Sequence, residues 1–390
     1  MTESKKRVIH IHDDPKFIDS LFRFEGEIFE NTVLYIKGDK PYSGRYKKEA
    51  LVYDLEKLNF DEIVAICDSY DLVVLYRLDY VKCRIAVRLS SKVKIAWRLF
   101  GTELYRRNYN DYLSDRTIEA IKVRFSIKKI KEYLKITIKS NPKLHKIISK
   151  KQRIIEEEFQ SACNRIDLLI GVCSEEYNFL KTKFQYLPKL VMISIHRQKS
   201  NVSLAQMYNE KKILPKPRVI IGHRKCCVNN HLDILDIVEK RLNNSESKCS
   251  FDILFSYGRE DKYSNLIRSI ASQRSHYNLI ETFMSESDFS LYYMQTSAFV
   301  LNGYRQMAVA NILTGIRTGV KIYLNKVNTV YDWLVNEGFI IFSINDFEKD
   351  IVTGNIALTI EQMTHNINAL DRLCKNRNTQ QFQSEVLSIL

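Results

Sequence analysis

The sequence predicts an α/β protein made of two Rossmann-like domains in tandem, and three observations lead there. Short runs rich in Val, Ile and Leu alternate with segments of helical periodicity along most of the chain. The rhythm breaks once, over a long basic stretch at 110–160, and restarts after the charged, proline-containing segment NEKKILPKP at 209–217. The chain has 390 residues, 45% of them hydrophobic and 27% charged, which is ordinary globular composition and enough length for two cores. Apolar runs separated by helices indicate parallel sheets covered on both faces.

The elements follow in order. Val8–His12 alternates as a strand, Lys16–Glu30 carries Phe17, Leu21, Phe24 and Ile28 at helical spacing, and Thr32–Ile36 is the next strand. DEIVAICDSY, DLVVLYRL, YVKCRIAVRLS and KVKIAWRLFG then read as helix, strand, helix and strand. The insertion at 110–160 is mostly helical. RIDLLIGVCSEEYNFLKTKF returns to strand and helix, and LPKLVMISIH closes the sheet. Proline disfavours helix in the residue before it, so the boundary falls in 209–217 and the domains are 1–212 and 213–390. The second domain repeats the pattern: RVIIG, FDILFSYG and SAFVLN are strands, while NNHLDILDIVEKRL, YSNLIRSIASQ and SESDFSLYYMQ are helices. The last of these opens on Ser285 and Asp288, spaced as a capping box. The final helix either stays with this domain or returns to the first. Two such domains leave an interdomain cleft faced by the C-terminal ends of their strands.

Composition excludes several classes. The eight cysteines show no CxxC and no zinc spacing, which suits reduced thiols in a cytoplasmic protein; the adjacent Cys226 and Cys227 would point apart in a strand. MTESKKRVIHIHDD lacks the apolar core of a signal peptide, and no run approaches the ~20 apolar residues that cross a bilayer. The net charge is +14, with 41 Lys+Arg against 28 Asp+Glu in residues 1–212 but 19 against 18 in 213–390. An anionic partner is therefore expected for the first half alone. Between Lys122 and Arg153, twelve cations face a single acid, Glu132, with isoleucines interleaved. This pattern suits a helix lying on an anionic membrane surface, with Lys128, Lys129, Lys131, Lys135 and Lys139 as contacts, each worth about 1 kcal/mol. A solvated helix packed on its own domain, or an RNA-binding stripe, would use the same composition. No RNP-like motif or zinc knuckle supports RNA.

Chemistry concentrates at strand ends. In YRQMAVANILTGIRTGVKIYLNK, a polar loop leads from a strand into a helix that begins near Ala308, runs to about Arg317 and stops at Gly319. Such a helix start offers free N–H groups and a positive dipole end to a diphosphate. Arg305 adds a forked donor, with Gln306 beside it, and Asn311 can bond a phosphate or a sugar hydroxyl. A plain, solvated αβ connection is the competing reading. Gly222, His223 and Arg224 form a second junction, and Tyr257 with Gly258 a third, where the ring can stack on a base. In the first half, His10, His12, Asp13 and Asp14 end one strand, and Glu103 follows another. Asp14 and Glu103 are candidate bases or acceptor contacts; one of Asp13 and Asp14 is also expected as a helix cap, and the histidines as core or rim residues. No dense Asp/His cluster suggests a metal.

The tandem plan, with RIDLLIGVCSEEYNFLK closing the first domain, resembles the GT-B fold of glycosyltransferases. IAWRLFGTELYRR, VIIGHRKCCVNNHLDIL, FDILFSYGRED and YRQMAVANILTGIRTGVKIYLNK resemble the enterobacterial 4-acetamido-4,6-dideoxygalactose transferases, in matched order over about 8–350. That family's phosphate loop reads Arg-Gln-Gln-Gly-x-Gly-Thr/Asn; Arg305, Gln306 and Asn311 match it, while Met307, Ala308 and Ala310 replace the Gln and both glycines. Its Trp-Gly-Ala-Asp-Leu-Tyr corresponds to FGTELY, which keeps a carboxylate at Glu103. The resemblance implies a metal-independent hexosyltransferase with no cofactor. Its TDP- or UDP-linked sugar would be passed to a polyprenyl-diphosphate-linked saccharide in surface polysaccharide assembly, by a protein peripheral on the inner face of the cell membrane. A nucleotide-sugar epimerase or hydrolase, and a non-enzymatic RNA- or membrane-binding protein, are the alternatives.

Overall fold

The computed structural model describes residues 4–37, 50–105, 109–123, 157–182, 187–196, 202–243 and 246–390. Lys128, Lys129, Lys131, Lys135 and Lys139, the expected membrane contacts, lie outside the described residues. Among the described residues, no helix is long and apolar enough to cross a membrane.

The first sheet contains β1 (Lys6–His12), β2 (Phe29–Lys37), β3 (Leu51–Asp54), β4 (Leu72–Tyr76), β5 (Lys94–Arg98), β6 (Leu168–Gly171) and β7 (Lys189–Met192). Its seven strands run in the order β3-β2-β1-β4-β5-β6-β7. Every pairing is parallel. The apolar runs explain why: all five residues of β4, LVVLY, are buried, as helices on both faces of a parallel sheet require. Each such side chain contributes about 1.5–3 kcal/mol relative to exposure. One face packs Val8, Val74, Ala96, Ile170 and Val191 with Phe382 and Val386 of the helix Thr379–Leu387.

The second sheet contains β8 (Arg218–Ile221), β9 (Ser250–Leu254), β10 (Tyr277–Ile280), β11 (Thr296–Leu301), β12 (Lys321–Leu324) and β13 (Phe342–Ser343), ordered β10-β9-β8-β11-β12-β13 and again parallel. In each sheet the strand order reverses beside the first strand, between β1 and β4 and between β8 and β11. Open α/β sheets bind ligands at the carboxyl ends of strands at such reversals.

The chain divides into two compact units, one of Met1–Arg106, Glu132–His196 and Asn376–Leu390, the other of Arg107–Lys131 and Arg197–Lys375. The sequence boundary after 212 and the unit limit at 196 differ because the helix Leu204–Glu210 packs Met207 against Leu358 and Met363 of the second unit. The residue after that helix, Lys211, is buried and donates to the carbonyls of Met294, Thr296 and Thr318 at 2.8–3.0 Å.

Two local expectations are corrected. The helix expected over Lys16–Glu30 is a 3-10 helix, Pro15–Phe24, which ends before Gly26 at φ +123°. Asn31 Nδ2 bonds the Phe24 carbonyl at 2.7 Å and Lys6 N bonds the Ile28 carbonyl at 2.9 Å, so the following residues join β2 instead. Cys226 and Cys227 sit at a 3-10 turn, Cys227–Asn229, because the Asn229 amide bonds the carbonyls of Arg224 and Cys226. Ser285 caps the helix Glu286–Met294 as expected, accepting from Asp288 N at 3.2 Å.

Candidate functional site

In the second unit, the loops after β8 and β11 converge at the sheet's reversal. Gly222, at φ +66°, turns the chain directly off β8, and a Cβ there would lie 2.5 Å from His231 Nε2. Only glycine leaves the His231 ring that room. Asn229 then organises the loop. Its Nδ2 donates to the Arg224 and Cys226 carbonyls, and its Oδ1 accepts from His223 N at 3.2 Å and His223 Nδ1 at 2.7 Å. The two amide donations fix which end of Asn229 is oxygen, so Nδ1 carries the His223 proton. Burial, aided by Arg224 and with Arg305 among the smaller contributions, pushes this imidazole well below its usual 6.5. His223 is therefore neutral, and Nε2 presents a lone pair. Arg224 Nε is buried and has no hydrogen-bond partner among the described residues.

Asn230, in a left-handed conformation, links three segments: Oδ1 accepts from Ser114 N at 2.9 Å, and Nδ2 donates to Asn302 O at 3.0 Å, just past β11, and to Tyr112 O at 3.4 Å. Asn325 Nδ2 in turn holds Asn302 Oδ1 at 2.8 Å.

The β11 loop leads to the helix Val309–Arg317, whose span matches the sequence expectation. Arg305 is 8% exposed and close enough to the His223 ring to depress its protonation. Gln306 is half-buried, and its carbonyl accepts from Arg305 at 3.4 Å. Ala308 stands at the helix N-cap with φ 56° and ψ 25° and contributes no side-chain cap. The first-turn N–H groups are thus left for another acceptor, the property that makes such a terminus bind anions. Ala308 replaces the first glycine of the resembling pattern and keeps a glycine-type backbone. Asn311 Nδ2 donates to Tyr293 Oη at 3.1 Å, which ties one side of its amide to the core. Tyr257 packs edge-on to His223 with centroids 6.2 Å apart. Gly258, at φ +129°, lets the loop after β9 close on Lys225, where a Cβ would strike the Lys225 carbonyl.

In the first unit, the reversal lies between the ends of β1 and β4. Lys82, 1% exposed, donates to Asp13 Oδ1 and Asp79 Oδ2, both at 2.8 Å, and Arg77, at φ 66°, pairs with Asp13 as well. Asp13 is an ion-pair anchor. Asp14 is half-buried at the same corner. Glu103 Oε1 accepts from Trp97 Nε1 at 3.0 Å and Phe100 N at 3.2 Å, holding the turn after β5. The His12 ring stacks on Tyr76 at 3.6 Å and its buried Nε2 has no hydrogen-bond partner among the described residues, while His10 Nε2 meets Asn31 Oδ1 at 2.9 Å. Burial pushes His10 down to about 4 and His12 well below 6.5, so both are neutral.

Sequence reading singled out Gly222, His223, Arg224 and Arg305, which meet here, but missed Asn229, Asn230 and Asn302, whose roles depend on partners distant in sequence or on backbone conformation. The NN pair before the helix His231–Leu242 was the only signal.

No family model and no curated protein matches the sequence. Solved structures do. HepE of Anabaena, in complex with UDP and glucose, superposes with a TM-score of 0.63 at 12% identity, covering 99% of this chain and 100% of its own. Sucrose-phosphate synthase of Thermosynechococcus elongatus gives 0.60 at 11%, covering 99% and 98%. The α,α-trehalose 6-phosphate synthase of Burkholderia multivorans gives 0.59 at 7%, covering 99% and 98%. With its two parallel α/β sheets matched over nearly their whole length, the chain has the GT-B glycosyltransferase fold.

Proposed function

We propose that this protein is a glycosyltransferase that moves a sugar from a nucleotide diphosphate to a saccharide acceptor. The observation that carries the reading is the convergence of Arg305, Arg224 and neutral His223 beside an uncapped helix start at the reversal of the second sheet. A leaving nucleoside diphosphate gains negative charge as the glycosidic bond breaks. Fixed guanidinium and main-chain donors stabilise that charge without reorganising. UDP in the HepE structure supports a nucleotide of this class. The donor is a TDP- or UDP-linked sugar, with the Tyr257 ring near the base and the His223 Nε2 lone pair available to a sugar or ribose hydroxyl.

The first unit takes the acceptor, with Asp14 and Glu103 on its side of the reaction. A polyprenyl-diphosphate-linked saccharide fits the positive charge of residues 1–212 and the basic segment at 122–153, which would hold the protein on the inner face of the cell membrane. Transfer without a metal follows from assigning charge stabilisation to Arg305.

Thermal shift against TDP, UDP and GDP tests the donor role, because a ligand that binds only the folded state raises apparent stability. One of them is expected to raise the melting temperature of the wild type, and Arg305→Ala to abolish the rise and lower transfer by roughly 100-fold or more. Nucleotide binding unchanged in Arg305→Ala refutes the assignment. Steady nucleotide release without an acceptor would instead identify a hydrolase.

A further inference from the structure

We propose that Arg98 and Arg23 form an oxyanion subsite at the C-terminal edge of the first sheet, which grips a phosphate-type group carried by the acceptor. The inference rests on the acceptor role given to the first unit and extends it to the chemistry of the acceptor itself.

Arg98 is the last residue of β5. Its Nη1 donates to the carbonyls of Leu99 at 2.9 Å and Ile170 at 3.1 Å, and the guanidinium carbon lies 5.2 Å from the Phe100 ring centroid. Carbonyls orient this side chain; among the described residues it makes no ion pair with a carboxylate. Arg23, near the end of the 3-10 helix Pro15–Phe24, donates through Nε to Ser194 O at 3.1 Å, two residues beyond β7. The strands fix the spacing. β6 and β7 pair Gly171 with Met192, and Ile193 N bonds Gly171 O at 2.8 Å, so the carbonyls of Ile170 and Ser194 stand on neighbouring strand ends. The two guanidiniums are therefore held on one rim.

The nearness of Arg98 registers in the protonation of Arg23. Burial pushes Arg23 down to about 10, with Arg98 the next contributor, and burial likewise brings Arg98 to about 10. Glu176 and Glu103 oppose this at Arg98 but are occupied: Glu176 Oε1 accepts from Tyr105 Oη at 2.8 Å, and Glu103 Oε1 serves Trp97 and Phe100. Arg377 Nη1 adds a third guanidinium, bonded to Val172 O at 2.7 Å at the end of β6. The buried Ser194 hydroxyl has no hydrogen-bond partner among the described residues. Each guanidinium carries five N–H donors in a planar fork, and Arg98 reaches the Leu99 and Ile170 carbonyls through Nη1 alone. The rest suit the oxygens of a phosphate.

Calorimetric titration of the full chain with inorganic phosphate and pyrophosphate tests this, in saturating UDP to occupy the second unit and at about 0.15 M salt to screen exposed lysines. One binding event is expected in the wild type, weakened tenfold or more in Arg98→Gln and in Arg23→Gln. Arg98→Lys, which keeps the charge and loses the fork, should fall between. Circular dichroism checks folding, and if Arg98→Gln does not fold, Arg98→Lys and Arg23→Gln decide. Pyrophosphate binding at least tenfold tighter than phosphate points to a diphosphate-linked acceptor; equal affinities point to a sugar monophosphate. No event in the wild type, or both glutamine variants binding like it, overturns the proposal. UDP affinity, measured on the same proteins, is expected to be unchanged by these variants, so failure of the donor reading is seen separately.

Discussion

Ala308 is the residue whose environment asks most of its side chain. At φ 56° and ψ 25° it occupies a region where a Cβ crowds the following carbonyl, at a cost of about 1 kcal/mol. Ala308→Gly is expected to stabilise the second unit by about 1 kcal/mol, seen in urea as a higher midpoint with unchanged slope. A lower midpoint would mean that the methyl is needed for packing. The helix that follows was legible from the sequence, since VANILTGIR has an apolar stripe and Gly319 ends it. The backbone of Ala308 was not, because alanine alone signals nothing left-handed. The neutral state of His223 was equally hidden: it depends on the Asn229 amide, whose orientation is set by two carbonyls.

Among the elements, β4 and its neighbours depend on one buried cation. Lys82, in the helix Tyr80–Ala86, ties the end of β1 to the helix cap through Asp13 and Asp79. Lys82→Met leaves those carboxylates without their buried partner, and removing one member of such a group costs about 3–5 kcal/mol. Denaturant unfolding of the variant measures it; a change under 1 kcal/mol would show that Arg77 and water suffice. Elements with a strong period were readable, as in β1, β4, β5, β8 and β11. The 3-10 helix Pro15–Phe24 was not, because Phe17, Leu21, Phe24 and Ile28 mimic an α-helical stripe while Gly26 and the Asn31–Phe24 bond break it. Likewise, β13 is too short, at two residues, to establish a period, and β3 buries none of its four residues and so carries no apolar signal.

At the scale of the whole molecule, four histidines govern the response to acid. His10 is lowered to about 4 and His231 to about 3, and His12 and His223 lie well below 6.5, burial being the main cause for each. Below pH 6.5 the unfolded chain binds protons that the native state refuses, so stability falls as pH drops toward the native values. Between pH 6.5 and 5 each of these imidazoles takes up a proton in the unfolded chain but not in the native one, so each lowers stability across that window. Asp233, whose carboxyl burial raises, acts in the opposite sense. Urea unfolding at pH 7 and pH 5 is expected to show this loss in both units, and a flat profile would exclude it. The overall plan of two α/β halves was visible in the order of apolar runs. The return of residues 376–390 to the first unit was visible only as a choice, since an amphipathic helix does not name its partner.

That return has a consequence for how the chain matures on the ribosome. All seven strands of the first sheet have been synthesised by Met192, but Phe382 and Val386, which cover Val8, Phe24 and Ile193, emerge about 190 residues later. At about 5–20 residues per second the nascent sheet waits roughly 10–40 s with an oily face uncovered, while the second unit is made. The half of the protein translated first is therefore the last to be sealed, and during that interval it is a natural client for a chaperone.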